Sequence, residues 1–256
     1  MLTAQKLRTS RVTLWLVPLL LLGIGVLGSY SISEAFRRDA VLAWEARAEQ
    51  TGERLAAILL TWIEETYIPI SALGALVENT PSLDEVAFLN GMEALEARST
   101  AFFLDSVAFI KADVADRATI TFSTDDIGAI GNGELLRQIP ELIATITTAL
   151  EQPDRVILGT PFSVGDAELL LPIALAIRDS DGDGGILLGT VSLDSIVAGL
   201  FEQLVPPGVE LALSGSFLGE PAHQIYEHDP QALSRYSTET RTLTGTADIA
   251  IRWYMD

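Results

Sequence analysis

GILLGTVSLDSIVAGLFEQL, residues 185–204, passes from a β-rich run into a helical one with no linker between them. Gly185 and Gly189 stand four apart, so both fall on one face of a strand. Asp194 is placed to cap a helix from about Ser195 to Leu204. Two more β-rich runs precede the stretch, RVILGTPF (155–162) and ELLLPIALAI (168–177), each bounded by Gly, Pro or Asp. Further upstream, LDSVAFIKAD (104–113) and ADRATITFST (115–124) read as two strands joined by a tight turn, and ELLRQIPELIATITTALEQ (134–152) has helical spacing. Ser82, with Glu85 three residues on, reads as a capping box opening a helix that ends near Glu96. Downstream, 207–256 offers VELALSG, a loop containing Gly, Pro and His, and a β-rich end, LTGTADIAIRWYMD. Strands and helices in this order predict an α+β domain, an antiparallel sheet with flanking helices.

The N-terminus carries a different signal. Lys6, Arg8 and Arg11 precede an uncharged run from Val12 to Tyr30, and nineteen residues at ~1.5 Å each span roughly 30 Å, the hydrocarbon thickness of a bilayer. Residues 12–30 are therefore expected to be an uncleaved signal anchor, with residues 1–11 cytoplasmic under the positive-inside rule and residues 31–256 outside. From Ser33 to about Asn79 the pattern is helical, with Leu55, Leu59, Trp62 and Thr66 on one stripe that Leu73 and Leu76 resume. Pro69 should break this stalk near Glu65, whose carbonyl loses its partner. Five of the 16 basic residues but one of the 35 acidic residues lie within residues 1–38, which leaves 11 against 34 and a net charge of −23 beyond them. So acidic an exterior excludes nucleic acid as a partner.

Cysteine is absent, which excludes disulfides, thiolate metal sites and cysteine nucleophiles. Asp179, Asp181, Asp183 and Gly184 imitate the first positions of a calcium loop, but Thr190 stands where the bidentate glutamate belongs, so a polar hairpin tip is expected and no metal. His223 and His228 are five apart in a Pro-bounded loop, which does not suit a helical metal pair. GAIGNG (128–133) is neither a dinucleotide nor a phosphate loop, and no G-x-S-x-G or HExxH motif occurs. The adjacent acids Glu64–Glu65 and Asp125–Asp126 read as solvated surface. No catalytic site and no cofactor are expected.

Taken together, the anchor, the long helix, VILGTPF, ELLLPIALAI and GILLGTVSLDSIVAGLFEQL resemble the CHASE domain, the extracytoplasmic sensory module of receptor histidine kinases and nucleotide cyclases. The likeness covers roughly residues 52–215 and is clearest over 155–205. It implies a stalk helix (31–79), a membrane-distal PAS-like sheet (80–206) that binds a small molecule, a membrane-proximal part (207–256), and a homodimer. It further implies that the chain stops before a second span and an output domain. Leu158 matches the family leucine that offers backbone bonds to ligand, with Thr160 and Phe162 on the same strand. Asp125 or Asp126 stands near the family's ligand-binding aspartate, and Phe109, Phe122 and Phe162 are expected to line the pocket. The alternative expectation is an anchored scaffold or protein-interaction domain that binds no small molecule.

Overall fold

The structure is a computed structural model that describes residues 3–80, 83–98, 104–113, 117–124, 130, 136–163, 168–178, 184–227, 236–244 and 247–255. It divides into two compact units, Met1–Gln50 and Thr51–Asp256.

Helix α1 runs from Thr3 to Glu65 with Pro18 inside it. It carries a stretch long and apolar enough to cross a membrane, none of which is buried. Trp15, Leu16, Leu19, Leu22 and Leu27 all lie exposed there. The helix ends where the sequence indicates. Pro69 has no N–H to offer the Glu65 carbonyl, and Thr66 turns back on the Ile63 carbonyl with both its N–H and its hydroxyl, at 3.2 and 2.5 Å. Helix α2 resumes from Tyr67 to Asn79. Leu55, Leu59, Thr66 and Leu73 of the expected stripe are buried, and Trp62 and Leu76 half-buried. Helix α3 follows, Glu85–Glu96.

The first sheet contains β1 (Ser106–Asp113), β2 (Arg117–Ser123), β3 (Val156–Leu158), β4 (Phe162–Ser163), β5 (Leu169–Arg178) and β6 (Gly184–Ser192). Its order is β2-β1-β6-β5-β3, with β4 also on β5, and every pairing is antiparallel. Helix α4 (Pro140–Glu151) lies between β2 and β3 in the chain, and α5 (Leu193–Gln203) follows β6. Strand β5 reads as a nearly unbroken apolar run because both of its faces are covered, Pro172 to Ile177 being buried throughout.

One face receives α2 and α3. A β-carbon on Gly189 would stand 2.9 Å from Cδ1 of Ile70, and one on Gly185 would stand 2.4 Å from the Phe109 ring. The glycine pair thus exists to admit a helix side chain and an aromatic ring. Phe88 of α3 stacks on Phe122 at 5.6 Å, and Phe122 on Phe109 at 6.1 Å. The other face packs under α4 as a cluster of Ala108, Ile110, Ile157, Phe162, Ala174, Ile186 and Leu188 with Leu142 and Ala149. Full burial of each large side chain contributes about 1.5–3 kcal/mol.

The second sheet has the order β8-β7-β10-β9, from β7 (Val209–Phe217), β8 (His223–Glu227), β9 (Tyr236–Thr244) and β10 (Ala247–Met255). Strand β10 alternates between buried Ile249, Ile251 and Trp253 and exposed Asp248 and Arg252, the period of a sheet with one covered face. Gly52 of α1 lies against it. A β-carbon on Gly52 would meet Thr238 at 2.4 Å and the Trp253 ring at 3.2 Å.

Several expectations need correction. Helix α4 begins at Pro140, since proline at the first helical position has a preset φ and a missing N–H that costs nothing there. The 155–162 run divides into β3 and β4 around Gly159–Pro161, because Pro161 cannot donate to a ladder. The cap of α3 is Asp84, which accepts from Ala87 N at 2.7 Å, while Ser82 lies outside the described residues. The cap of α5 is Ser192, and Asp194 sits in the first turn. His223 begins a strand where a loop was expected, and β9 is a full strand. Both belong to a sheet that their own sequence only half announces.

Candidate functional site

The α4-facing side of the first sheet carries a line of small and polar side chains along one register row. Ser106 pairs with Thr190 across β1 and β6, and Thr190 with Pro172 across β6 and β5. Gly159 closes the row, its N–H donating to the Pro172 carbonyl at 2.9 Å. A β-carbon on Gly159 would strike Thr145 of α4 and Pro172, so this glycine is what lets α4 approach. On the next row Ala108, Leu188 and Ala174 pair in turn, and two of those three are alanines. Apart from Leu188, the floor made by these two rows consists of small residues and Pro172.

Within this row Ser106 Oγ and Thr190 Oγ1 are 2.6 Å apart, at 7% and 1% exposure. Two hydroxyls hold two O–H donors, and their mutual bond uses one. The pair therefore keeps one O–H donor and spare lone pairs beyond its mutual bond. A polar molecule that reached the pair could use both.

Below the row a set of acids gathers at the start of α5. Asp105 accepts from Ser192 N. Glu168 accepts from the hydroxyls of Ser192 and Ser195, the latter at 3.0 Å. Asp194 accepts from Leu169 N at 2.7 Å, and Ser192 Oγ also caps Ser195 N at 3.0 Å. Loss of hydration raises the Asp105 carboxyl above its ordinary range; the Ser192 N–H opposes that shift and the charge of Glu168 adds to it. Negative charge is thus concentrated at one end of the floor.

Of the seven residues singled out from sequence, the five that the structure describes do not share one face of the sheet. Phe109 and Phe122 lie in the stack under α3. Leu158 pairs with Ile173, whose strand neighbours two and four residues on, Leu175 and Ile177, meet Gly74 of α2; it shares the α2 face. Phe162 belongs to the opposite, α4-facing cluster. Thr160 is buried between β3 and β4. Asp125 and Asp126 lie outside the described residues, as do Asp179, Asp181, Asp183 and His228. The strands on either side of those three aspartates pair with Arg178 opposite Gly184. Sequence reading missed Ser106, Thr190, Ser192, Asp105 and Glu168. Their signal is a serine or threonine inside apolar strands, which acquires meaning only when the register places two of them side by side.

No family model matches the chain, and no curated protein matches it. Solved structures do. The ligand-binding domain of the Pseudomonas aeruginosa amino-acid chemoreceptor PctC, in complex with GABA, is 17% identical over 82% of this chain and 98% of its own, with a TM-score of 0.58. The periplasmic sensory domain of the Campylobacter jejuni chemoreceptor Tlp1 is 10% identical over 84% of this chain and 95% of its own, with a TM-score of 0.60. The extracellular domain of rpHK1S-Z16, assigned as a histidine kinase, is 12% identical over 85% of this chain and 96% of its own, with a TM-score of 0.59. At these identities the likeness shows the fold, which is that of extracytoplasmic sensory domains of chemoreceptors and histidine kinases. It does not select the CHASE family among them.

Proposed function

We propose that the chain is the ligand-sensing input part of a membrane-anchored signal-transduction receptor. In this reading residues 1–11 are cytoplasmic, 12–30 span the membrane and 31–256 lie outside, with the first sheet distal and the second proximal. The observation that carries it is the buried Ser106–Thr190 hydroxyl pair, set on a floor of glycine, proline and alanine beneath α4. A core without a ligand role favours apolar side chains in such a position, because each buried polar group must be matched or costs free energy. The fold neighbours support a small-molecule ligand, and the acids at the start of α5 favour one that carries an ammonium group.

The output of the parent receptor is of the histidine-kinase or chemoreceptor kind. A nucleotide cyclase, the other output implied by the CHASE resemblance, has no support among the structures named. CHASE membership itself rests on residues 155–205, and homodimerisation on the analogy alone. The test is a thermal-shift screen of the full chain in lipid nanodiscs against the proteinogenic L-amino acids, GABA and simple alkylamines. At least one compound should raise the melting temperature, and Thr190→Val should abolish that shift while leaving a cooperative melt. A shift that survives both Thr190→Val and Ser106→Ala would move the site elsewhere, and no shift from any compound would count against a sensor of this class.

A further inference from the structure

The turn after β7 contradicts its own sequence. Its central residues are Leu218 at φ 54° and Gly219 at φ 83°, and it is closed by Glu220 N donating to the Phe217 carbonyl at 2.9 Å. Ser216 Oγ donates to the Glu220 carbonyl as well. A turn with both central residues at positive φ calls for Asn-Gly or Gly-Gly, since a leucine there brings its β-carbon against its own backbone. Among the described residues, Asp154 is the other non-glycine at positive φ, and aspartate tolerates that region far better. A leucine held so persists where the surroundings over-determine it.

Leu218 sits in the turn that ends β7 of the second sheet, yet it packs against the α4-facing cluster of the first. From there β7 is paired with β10 along its whole length, from Phe217 opposite Ala247 to Val209 opposite Met255. The far end of β10 lies on Gly52 of α1 through Trp253 and Met255. A continuous, hydrogen-bonded pair of strands therefore joins the face that holds the Ser106–Thr190 row to the helix that leads toward the membrane.

We propose that Leu218 is the contact by which the second sheet registers changes of packing on the α4-facing side of the first. The left-handed leucine is retained because asparagine, the residue the turn prefers, would present an amide to an apolar cluster. Its use in signalling rests on the sensor reading above; the mechanical coupling does not, and it is tested without any ligand.

Hydrogen exchange of the full chain in nanodiscs, followed over the β7 and β10 peptides, supplies the test. Ile157→Val removes one methyl group from the cluster and should speed exchange in β10 by about three- to tenfold, the range expected for one lost buried methyl. In a Leu218→Gly background the same substitution should leave β10 unchanged, and Leu218→Asn provides a second background that suits the turn should the glycine variant fold poorly. An equal acceleration in all backgrounds, or none in the wild type, would overturn the coupling. A ligand-induced melting shift retained alongside either result would show that the sensor reading stands without it.

Discussion

Gly184 and Gly185 are neighbours in sequence with opposite surroundings. A β-carbon on Gly184 meets nothing within 4 Å, whereas one on Gly185 lands 2.4 and 2.6 Å from two ring atoms of Phe109. That ring is held in its stack with Phe122 and has little room to yield. Gly185→Ala should therefore destabilise the chain by about 1–3 kcal/mol, the usual cost of overpacking. Gly184→Ala should stay within about 0.5 kcal/mol of wild type, as for other exposed positions. Urea midpoints of the two variants in the same detergent check the contrast, and equal midpoints would mean that Phe109 is not fixed as described. The Gly185–Gly189 pair was legible in the sequence as a marker of the fold, but its cause was not, because Phe109 and Ile70 reach the two glycines from distant parts of the chain.

At the level of elements, most helices and strands could be read from periodicity, and the failures share a cause. Ser82 and Asp194 have the right chemistry for capping, yet Asp84 and Ser192 make the bonds. A capping residue is chosen by where the backbone leaves the extended region, and tertiary packing moves that point by a residue or two. The two caps also differ in what they hold. Asp84 caps α3 at the surface, so Asp84→Ala should cost about 1 kcal/mol. Ser192 is buried and simultaneously serves Ser195 N and Glu168. Its loss leaves polar partners unmatched, so Ser192→Ala should cost clearly more, about 2–3 kcal/mol in all. Denaturant unfolding of both variants measures the difference, and a smaller effect for Ser192 would show that the acids near α5 do not depend on it. Strands β8 and β9 were hard to foresee because their partners, β7 and β10, carry most of the apolar pattern.

For the whole molecule, charge is the dominant property, 35 acidic against 16 basic residues, and Asp105 shows how it bears on stability. Its carboxyl is raised in the folded state, so the folded chain holds that proton more tightly than the unfolded one. The corresponding stability is fully present below the unfolded carboxylate value of about 3.9 and is lost as pH rises through the folded value. Asp105→Asn carries no such titration. The melting temperature of the variant should gain on wild type as pH is raised from about 4 to about 7, as followed by intrinsic fluorescence; a constant gap would remove Asp105 from the pH dependence. The long apolar N-terminal helix, its break near Glu65 and the α+β class could all be inferred from the sequence alone, since each is written in contiguous segments. The candidate site could not, because its row draws one residue from each of four separated segments, and side chains chosen for aromatic character fell on opposite faces of one sheet.

The break between β3 and β4 has a consequence outside the site. These segments, three and two residues long, both lie along β5, and Gly159, Thr160 and Pro161 separate them. A long unbroken border would offer a neighbouring chain a ready template for strand addition, and short, proline-interrupted borders are how native sheets deny it. The interruption that brings α4 down onto Gly159 therefore also withholds from neighbouring copies an unbroken strand onto which they could zip into aggregates.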